Sequence, residues 1–171
     1  NGVVLITTKK GKDGQGKITY DFQFTTESLA HMPKLLNAEQ YIDYMTEGNI
    51  FSRDYILKNW DGHTNTDWID AAYGKGHMMK HNVGFMGGNK SGNYYASITF
   101  LNNDGIVRGN NDVYRRLTGT INGEYNVKPW LKVGTTNQIE KYNVRSVSGG
   151  SEYGSMLTSV INMDPITPVL Y

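Results

Sequence analysis

Hydrophobic and polar residues alternate strictly along an 11-residue stretch of the chain, from Leu117 to Val127. Leucine, isoleucine, valine, tyrosine and glycine occupy its odd positions, and threonine, asparagine and glutamate occupy its even positions. Period-two alternation predicts a β-strand whose two faces meet different surroundings. A strand of this length, rising about 3.3 Å per residue and tilted by about 45°, is long enough to cross the hydrocarbon core of a bilayer. The stretch therefore has the length and the pattern of a membrane-crossing strand.

Four further stretches alternate in the same way, which makes about five predicted strands. The additional strands are predicted at about 17–27, 77–87, 93–102 and 131–140. Tyrosine, glycine, threonine and alanine share their apolar side with a few aliphatic residues, a mixture that lipid accepts more readily than a close-packed core does. Aromatic rings near strand ends are typical of membrane interfaces, and this chain has Tyr20, Tyr94, Tyr114, Tyr125 and Trp130 there. The pattern predicts an all-β fold of antiparallel strands. A transmembrane antiparallel β-barrel and a soluble sheet with one wet face both give this alternation, and soluble sheets are far commoner.

The connections between the predicted strands are of two kinds. Short turns are predicted at 88–92 and 126–129, and longer polar segments at 28–76, 103–112 and beyond 143. Helix signals occur in the long segments: Asn37 is the predicted cap of a helix near 38–47, and further helical turns are predicted at 52–57 and 152–162. Short turns at one rim and long loops at the other are typical of outer-membrane barrels.

Composition and charge narrow the possible functions. The net charge is +1 and the pI is near 8.0, so no strong field favours a nucleic-acid partner. The chain has no cysteine, which excludes a disulfide scaffold and a thiolate metal site. It also has no apolar run of about 18 residues, the length that a membrane-spanning helix needs.

Both ends of the sequence read as interruptions. A buried-type strand pattern begins at Val3 without an initiator methionine or a signal peptide before it, and residues 164–171 are a proline-bearing extended segment. About five strands cannot close a barrel, and an open edge in lipid leaves unpaired backbone groups that cost several kcal/mol each. We therefore expect the chain to be a piece of a larger protein.

Seven short motifs follow one another along nearly the whole chain. They are NGVVLITTKKG at 1–11, LLNAEQY at 35–41, NTDW at 65–68, HNVGFMGG at 81–88, NYYAS at 93–97, DGIV at 104–107 and WLKVG at 130–134. In this order they resemble SusC/RagA-like TonB-dependent outer-membrane receptors. The first motif resembles the end of that family's plug domain, and the second resembles the short helix after its first barrel strand.

The resemblance implies a domain organisation. The whole receptor would have a barrel of about 22 strands that encloses a plug. Residues 1–16 would be the end of the plug domain and its connection, and residues 17–171 the first part of the barrel, with partly helical outer loops at 28–76 and 143–171. Charged residues expected to line the inner wall are Asp21, Glu124, Lys132 and Glu140.

The resemblance also implies a function, namely TonB-dependent import of a nutrient across a bacterial outer membrane. The expected cargo is an oligosaccharide, with an oligopeptide as the second choice. The expected partners are a SusD-like surface lipoprotein, the TonB complex and outer-membrane lipid, with no nucleic acid. Such a receptor transforms nothing chemically, so no enzyme activity, catalytic residue, cofactor or metal is expected.

Trp60 and Trp68, both in the long segment 28–76, are the predicted substrate-binding residues. Exposed aromatic faces stack well on sugar rings and on peptide side chains. The alternative is that the two indoles anchor the loop. Two other function classes stay open beside import: a soluble extracellular β-sandwich that binds glycan, and a secreted β-rich hydrolase, for which no convergent carboxylates are recognisable.

Two further motifs have simpler explanations than the chemistry they suggest. Residues 11–17 match the glycine and lysine spacing of a phosphate-binding loop, but Ile18 stands where a hydroxyl is needed and a strand follows instead of a helix. His77 and His81 have the i, i+4 spacing of zinc ligands on a helix, but they lie in a predicted strand.

The acidic pairs Asp43 with Glu47 and Asp67 with Asp70 lack an apolar pocket that would tune a pKa. We therefore interpret these carboxylates as solvated loop charges.

Overall fold

The computed structural model describes residue 2, residues 14–147 and residues 154–169. The predicted plug strand at 1–8, apart from Gly2, and the connection up to residue 13 lie outside the described residues. Most of the phosphate-loop-like motif at 11–17 lies outside them as well. The described chain forms two compact units, a sheet unit within Asn1–Thr25, His77–Asp104 and Val113–Val144, and a helical unit within Thr26–Gly76, Gly105–Asp112 and Arg145–Tyr171.

Five strands form one sheet in the order of the sequence, β1-β2-β3-β4-β5. Their bounds are β1 Gly14–Glu27, β2 Gly76–Asn89, β3 Gly92–Asn103, β4 Val113–Lys128 and β5 Leu131–Arg145. β3 pairs antiparallel with both β2 and β4, as expected for consecutive hairpins. This architecture confirms the five predicted strands and their antiparallel arrangement.

The strands are longer and the turns are shorter than the sequence predicts. Lys90 and Ser91 alone connect β2 to β3. The side chain of Asn89 stabilises this tight turn by accepting hydrogen bonds from the amides of Ser91 and Gly92 at 2.8 and 3.1 Å. The turn between β4 and β5 likewise contains only two residues, Pro129 and Trp130. The predicted turns at 88–92 and 126–129 are therefore too long, since glycine and polar residues at their edges still pair in the ladder.

The register places the alternating residues on two distinct faces. On one face Phe85 lies opposite Ala96 and Ala96 opposite Ile121, while on the other Asn82 lies opposite Thr99 and Thr99 opposite Thr118. The apolar face comprises Phe22, Val83, Phe85, Ala96, Ile98, Phe100, Leu117, Ile121 and Ile139. The polar face comprises Asp21, Asn82, Tyr95, Ser97, Thr99, Thr118, Asn122, Glu124 and Glu140.

At the centre of the sheet, where β3 and β4 pair, exposure on the two faces is the reverse of that in a water-soluble sheet. Ile121 on the apolar face is 62% exposed, whereas its neighbour Asn122 on the polar face is 5% exposed. Tyr95, opposite Asn122 on the polar face, is 6% exposed. Within the described chain, the apolar side of the sheet is uncovered and the polar side carries the buried residues.

The described part of the helical unit contains four short helices. Their bounds are α1 Ala38–Glu47, α2 Arg53–Asn59, α3 Trp68–Ala72 and α4 Met156–Asn162. Asn37 caps α1 in a capping box with Gln40, and Ser52 and Ser155 cap α2 and α4. The helical segments predicted near 38–47, 52–57 and 152–162 are confirmed as α1, α2 and α4. α3 was not predicted, although Asp67 caps it by accepting hydrogen bonds from the amides of the first turn.

Aliphatic residues form the buried centre of the helical unit. They are Ala38, Ile42, Ile56, Val107 and Val160. None of the described helices has the length and hydropathy that a membrane-spanning helix requires.

Candidate functional site

The polar face of the sheet is a hydrogen-bonded network. Asn82 donates from its amide nitrogen to Asp21 Oδ2 at 3.1 Å and accepts from the hydroxyl of Thr99 at 2.8 Å. A cavity of about 470 Å³ lies over this network and is also lined by Gln23, Tyr95 and Ser97. Side chains of three adjacent strands thus form one hydrophilic wall.

The charged residues predicted to line an inner wall lie on this same face. Glu140 of β5 accepts from the Thr118 hydroxyl at 3.5 Å and lies 3.8 Å from the guanidinium of Arg116. Lys132 lies 3.9 Å from Glu124. Together with Asp21, these contacts confirm that the four predicted residues share one side of the sheet.

The helical unit contains a groove of about 310 Å³ between segments that are distant in sequence. Nine of its twelve lining residues are aromatic or aliphatic, and three are polar. The lining residues are Lys34, Leu35, Leu36, Tyr41, Tyr44, Met45, Thr66, Trp68, Ile161, Asn162, Met163 and Pro165. Such a surface can stack planar or ring-shaped groups and bond their polar edges.

Three hydrogen bonds hold the groove together. The amide of Thr66 donates to the carbonyl of Pro165 at 2.8 Å, and its hydroxyl donates to the carbonyl of Thr167 at 2.7 Å. The indole N–H of Trp68 donates to the carbonyl of Asp164 at 2.7 Å. Burial, followed by the negative charge of Asp164, raises the pKa of Tyr41 above its ordinary value.

The two predicted substrate-binding tryptophans have different surroundings. Trp60 is half-buried, donates its indole N–H to the carbonyl of Thr64 at 2.8 Å, and is not among the residues that line the groove. Trp68 is half-buried and contributes to the groove wall. Both indole donors are bonded to backbone carbonyls, so both residues anchor the chain, and Trp68 also lines a surface that a ligand can reach.

The loop after Trp60 is organised by Asp61. Its carboxylate accepts from the Thr64 hydroxyl, from the Thr64 amide at 2.7 Å and from the His63 amide at 2.9 Å. The hydrogen bond from the Thr64 side chain is the largest cause, with the backbone bonds, of a pKa of Asp61 lowered to about 2. Asp61 therefore stays ionised and shapes the loop at any pH near neutrality.

His77 and His81 do not form part of a metal site in the described chain, where no group of three potential ligands is found. The ring of His77 lies 5.7 Å from that of Phe24, and the ring of His81 lies 4.9 Å from that of Phe22. The hydroxyl of Tyr20 is hydrogen-bonded to Nδ1 of His81 at 2.8 Å. Both imidazoles therefore pack among aromatic side chains of β1.

Sequence reasoning missed Tyr41, Tyr44 and the 161–165 segment as parts of the groove. Tyr41 and Tyr44 lie three residues apart on α1, a spacing that places two side chains on one helix face. The sequence could therefore have indicated that the two tyrosine side chains contribute to one surface. Nothing local indicated that residues 161–165 would join them.

A single antiparallel sheet with an exposed apolar face and a hydrogen-bonded polar face is the arrangement found in outer-membrane barrels. Known proteins agree with this class. Over 170 residues the chain is 25% identical to TonB-dependent receptor P3 of Formosa agariphila, with 96% of this chain and 16% of that protein covered. It is 28% identical to TonB-dependent receptor SusC of Bacteroides thetaiotaomicron, with 99% of this chain and 16% of that protein covered.

Solved structures agree in fold. A structure of the RagAB peptide transporter matches 93% of this chain with a TM-score of 0.78 and 22% identity, and 21% of that chain is covered. The RagAB peptide importer in its closed-closed state matches the same share with a TM-score of 0.76 and 23% identity. No protein-family model matches the chain.

These matches confirm the resemblance that the sequence motifs indicate: the chain is similar to a segment of SusC/RagA-like TonB-dependent receptors. It spans 16% of the length of the curated relatives. Both relatives are named as receptors, and neither name describes an enzyme.

Proposed function

We propose that this chain forms the first barrel strands of a TonB-dependent receptor that imports a nutrient across a bacterial outer membrane. The observation that carries the proposal is the pair Ile121 and Asn122, whose 62% and 5% exposures are inverted relative to a soluble sheet. Lipid would cover the apolar face, and the plug and water of the lumen would meet the polar face. Such a protein moves its cargo without transforming it.

The same proposal assigns the regions of the chain. Residues 1–16 would complete the plug domain and lead into β1, and residues 17–171 would begin a barrel of about 22 strands. The two-residue turns after β2 and β4 would face the periplasm. The loops predicted at 28–76, 103–112 and 143–171 would lie outside the cell, with the last one shortened because β5 extends to Arg145.

The outer segments would bind cargo beneath a SusD-like lipoprotein. The groove beside Trp68 supports this part, because aromatic and polar side chains together line it. Such a lining suits an oligosaccharide, whose rings present apolar faces and hydroxyl edges. An oligopeptide is the second candidate, favoured by the similarity to a protein described as a peptide transporter.

Labelling of intact cells tests the topology. Single cysteines replace Asp54 and Lys58 in α2, and Lys90 and Lys128 at the two short turns, all of which are exposed. A membrane-impermeant thiol reagent should label the first pair in intact cells and the second pair only after lysis. Labelling of Lys90→Cys or Lys128→Cys in intact cells would refute the proposed orientation.

Uptake measurements test the cargo. A strain that lacks the receptor, complemented with the wild type, should recover growth on either an oligosaccharide mixture or an oligopeptide mixture as sole carbon source. Trp68→Ala should then lower uptake of that cargo, while Trp68→Phe, which keeps an aromatic face, should retain most of it. The matched control is Trp130→Ala, at a turn on the opposite rim and 80% exposed. Equal uptake by Trp68→Ala and wild type would remove Trp68 from the cargo site.

A further inference from the structure

Charged residues are distributed unequally between the two faces of the sheet. The four carboxylates of the five strands, Asp21, Glu27, Glu124 and Glu140, all occupy positions of the polar side. On the apolar side, the alternation places cationic and imidazole groups but, among the described residues, no carboxylate. These groups are His77, His81, Arg115, Lys141 and Arg145. Arg145 ends β5 and belongs to the helical unit, and we call the other four, which belong to the sheet unit, the basic row.

The basic row lies at one end of the strands. His77 and His81 are near the start of β2, Arg115 is near the start of β4, and Lys141 is near the end of β5. Because adjacent strands are antiparallel, these positions share the edge opposite the two-residue turns.

Contacts of neighbouring residues fix the side on which the cations lie. Glu140 and Tyr142 face Arg116 and Tyr114 on the polar side, so Lys141 and Arg115, at the intervening positions, point to the apolar side. Arg115 donates from Nε to the side-chain carbonyl of Asn102 at 2.9 Å, which orients its guanidinium.

The two cations of the basic row have no counter-charge among the residues that the structure describes. Within the described residues, Arg115 and Lys141 take part in no ion pair, whereas Arg116 and Lys132 on the polar face are paired with glutamates. A cation beside an apolar, lipid-facing surface is expensive unless it reaches the headgroup level and meets an anion there. An anionic lipid headgroup at that level would provide such a partner.

A hollow of about 440 Å³ continues the apolar face below the basic row. Ala96 and Gly119 form its floor, and Phe85, Ile98, Ile121 and Ile139 stand around it. A Cβ atom at Gly119 would meet no other atom within 4 Å, so the space directly above this residue is open. Gly119 follows Arg115 by four residues, about 13 Å at the usual rise of a strand, which lies within one leaflet of a hydrocarbon core about 30 Å thick.

We propose that the basic row and the hollow together bind a lipid of the outer leaflet through its phosphate group. Arg115 and Lys141, on the adjacent strands β4 and β5, hold the phosphate, and an acyl chain occupies the hollow over Gly119. The inference rests on the proposed function, because that function places this edge of the sheet at the outer leaflet.

Binding to the full-length receptor in detergent tests this inference. The probes are a bisphosphorylated acylated diglucosamine lipid, the same lipid without phosphates, and inorganic phosphate as a competitor. The wild type should prefer the phosphorylated lipid, and Arg115→Gln combined with Lys141→Gln should weaken that binding roughly 30-fold. Gly119→Leu should weaken binding of both lipids, because it fills the hollow.

Lys80→Gln is the matched control, since Lys80 lies at the level of Arg116 on the polar face. It should leave lipid affinity unchanged. Equal affinity of the wild type for both lipids, an equal loss in Lys80→Gln, or displacement of the lipid by inorganic phosphate at matched concentration would each overturn the inference.

Nutrient uptake and cysteine labelling of the same variants separate this inference from the function on which it rests. If the receptor still takes up nutrient but binds the phosphorylated and the unphosphorylated lipid equally well, only the proposed lipid site is refuted. A wild-type receptor that is neither inserted in the membrane nor active in uptake would remove the proposed function itself.

Discussion

Trp68 donates its indole N–H to the carbonyl oxygen of Asp164 at 2.7 Å, across 96 residues of sequence. The bond connects the start of α3 to the segment that follows α4, on either side of the groove. A residue predicted for substrate contact thus also holds two distant parts of the helical unit together. Its two roles can be separated by substitution.

Trp68→Phe keeps an aromatic ring but removes the donor to Asp164. We expect it to destabilise the helical unit by about 1 kcal/mol, the usual net value of one hydrogen bond. The measurement is hydrogen exchange of the Thr66 amide, which donates to Pro165 across the same junction. Trp60→Phe is the control, because Trp60 bonds only to nearby Thr64, and exchange at Thr66 should stay unchanged in it. Equal acceleration in both variants would show that the Trp68 bond has no special role.

Ile121→Arg places a charge at the middle of the exposed apolar face. If lipid covers that face, the receptor should lose roughly 2–4 kcal/mol of stability, as arginine does near a bilayer midplane. The control is Gln138→Arg, an exposed position on the opposite side of β5, which should be mild. Unfolding from lipid vesicles by denaturant measures both. Comparable losses would argue against lipid on this face.

Asn37→Ala removes the acceptor that caps α1. The Asn37 side chain accepts from the amide of Gln40 at 2.8 Å, so its loss should cost the helix about 1 kcal/mol. Asn37→Ser retains an oxygen at the cap and should restore most of the stability. Amide exchange at Gln40 and Tyr41 reports the fraying. Slow exchange in Asn37→Ala would mean that packing, not the cap, fixes the start of α1.

The loop of Asp61 should depend on pH only under strongly acidic conditions. Because hydrogen bonds lower the pKa of Asp61 to about 2 from its usual 3.8, the folded loop favours the ionised carboxylate. The resulting stabilisation is complete above about pH 4 and is lost as the pH falls through about 2.

The carboxylate carbon shift of Asp61, followed by NMR, measures this titration directly. Thr64→Val removes the hydroxyl donor and should move the midpoint upward, towards the ordinary value of aspartate. A midpoint that does not move would show that the Thr64 hydroxyl contributes nothing to the low pKa.

The strands and the helix caps were predictable because their signals are local. Alternation from Leu117 to Val127 identified β4, and Asn37 and Ser52 identified the starts of two helices. The limits of β4 were harder, since two consecutive arginines, Arg115 and Arg116, interrupt the alternation and still pair in the sheet. Alternation also shows that two faces differ without showing which of them is buried.

The groove could not be predicted from local patterns. Its wall joins α1, Trp68 and residues 161–165, and the hydrogen bonds that close it link positions about a hundred residues apart. Such contacts depend on how the elements pack, for which one sequence offers no periodic signal. The unequal distribution of charges between the two faces of the sheet could be predicted from the sequence, because it depends only on whether a residue has an odd or an even position in its strand.

The unequal connections between strands have a consequence for the order of folding. β2 and β3, and likewise β4 and β5, are joined by two residues, so each hairpin can zip shut with little loss of chain entropy. β1 and β2 are separated by the whole segment from residue 28 to residue 75. The two hairpins should therefore assemble early, and β1 should dock last, after that segment has collapsed. A substitution that slows the collapse of the helical unit would then delay completion of the sheet without touching any strand.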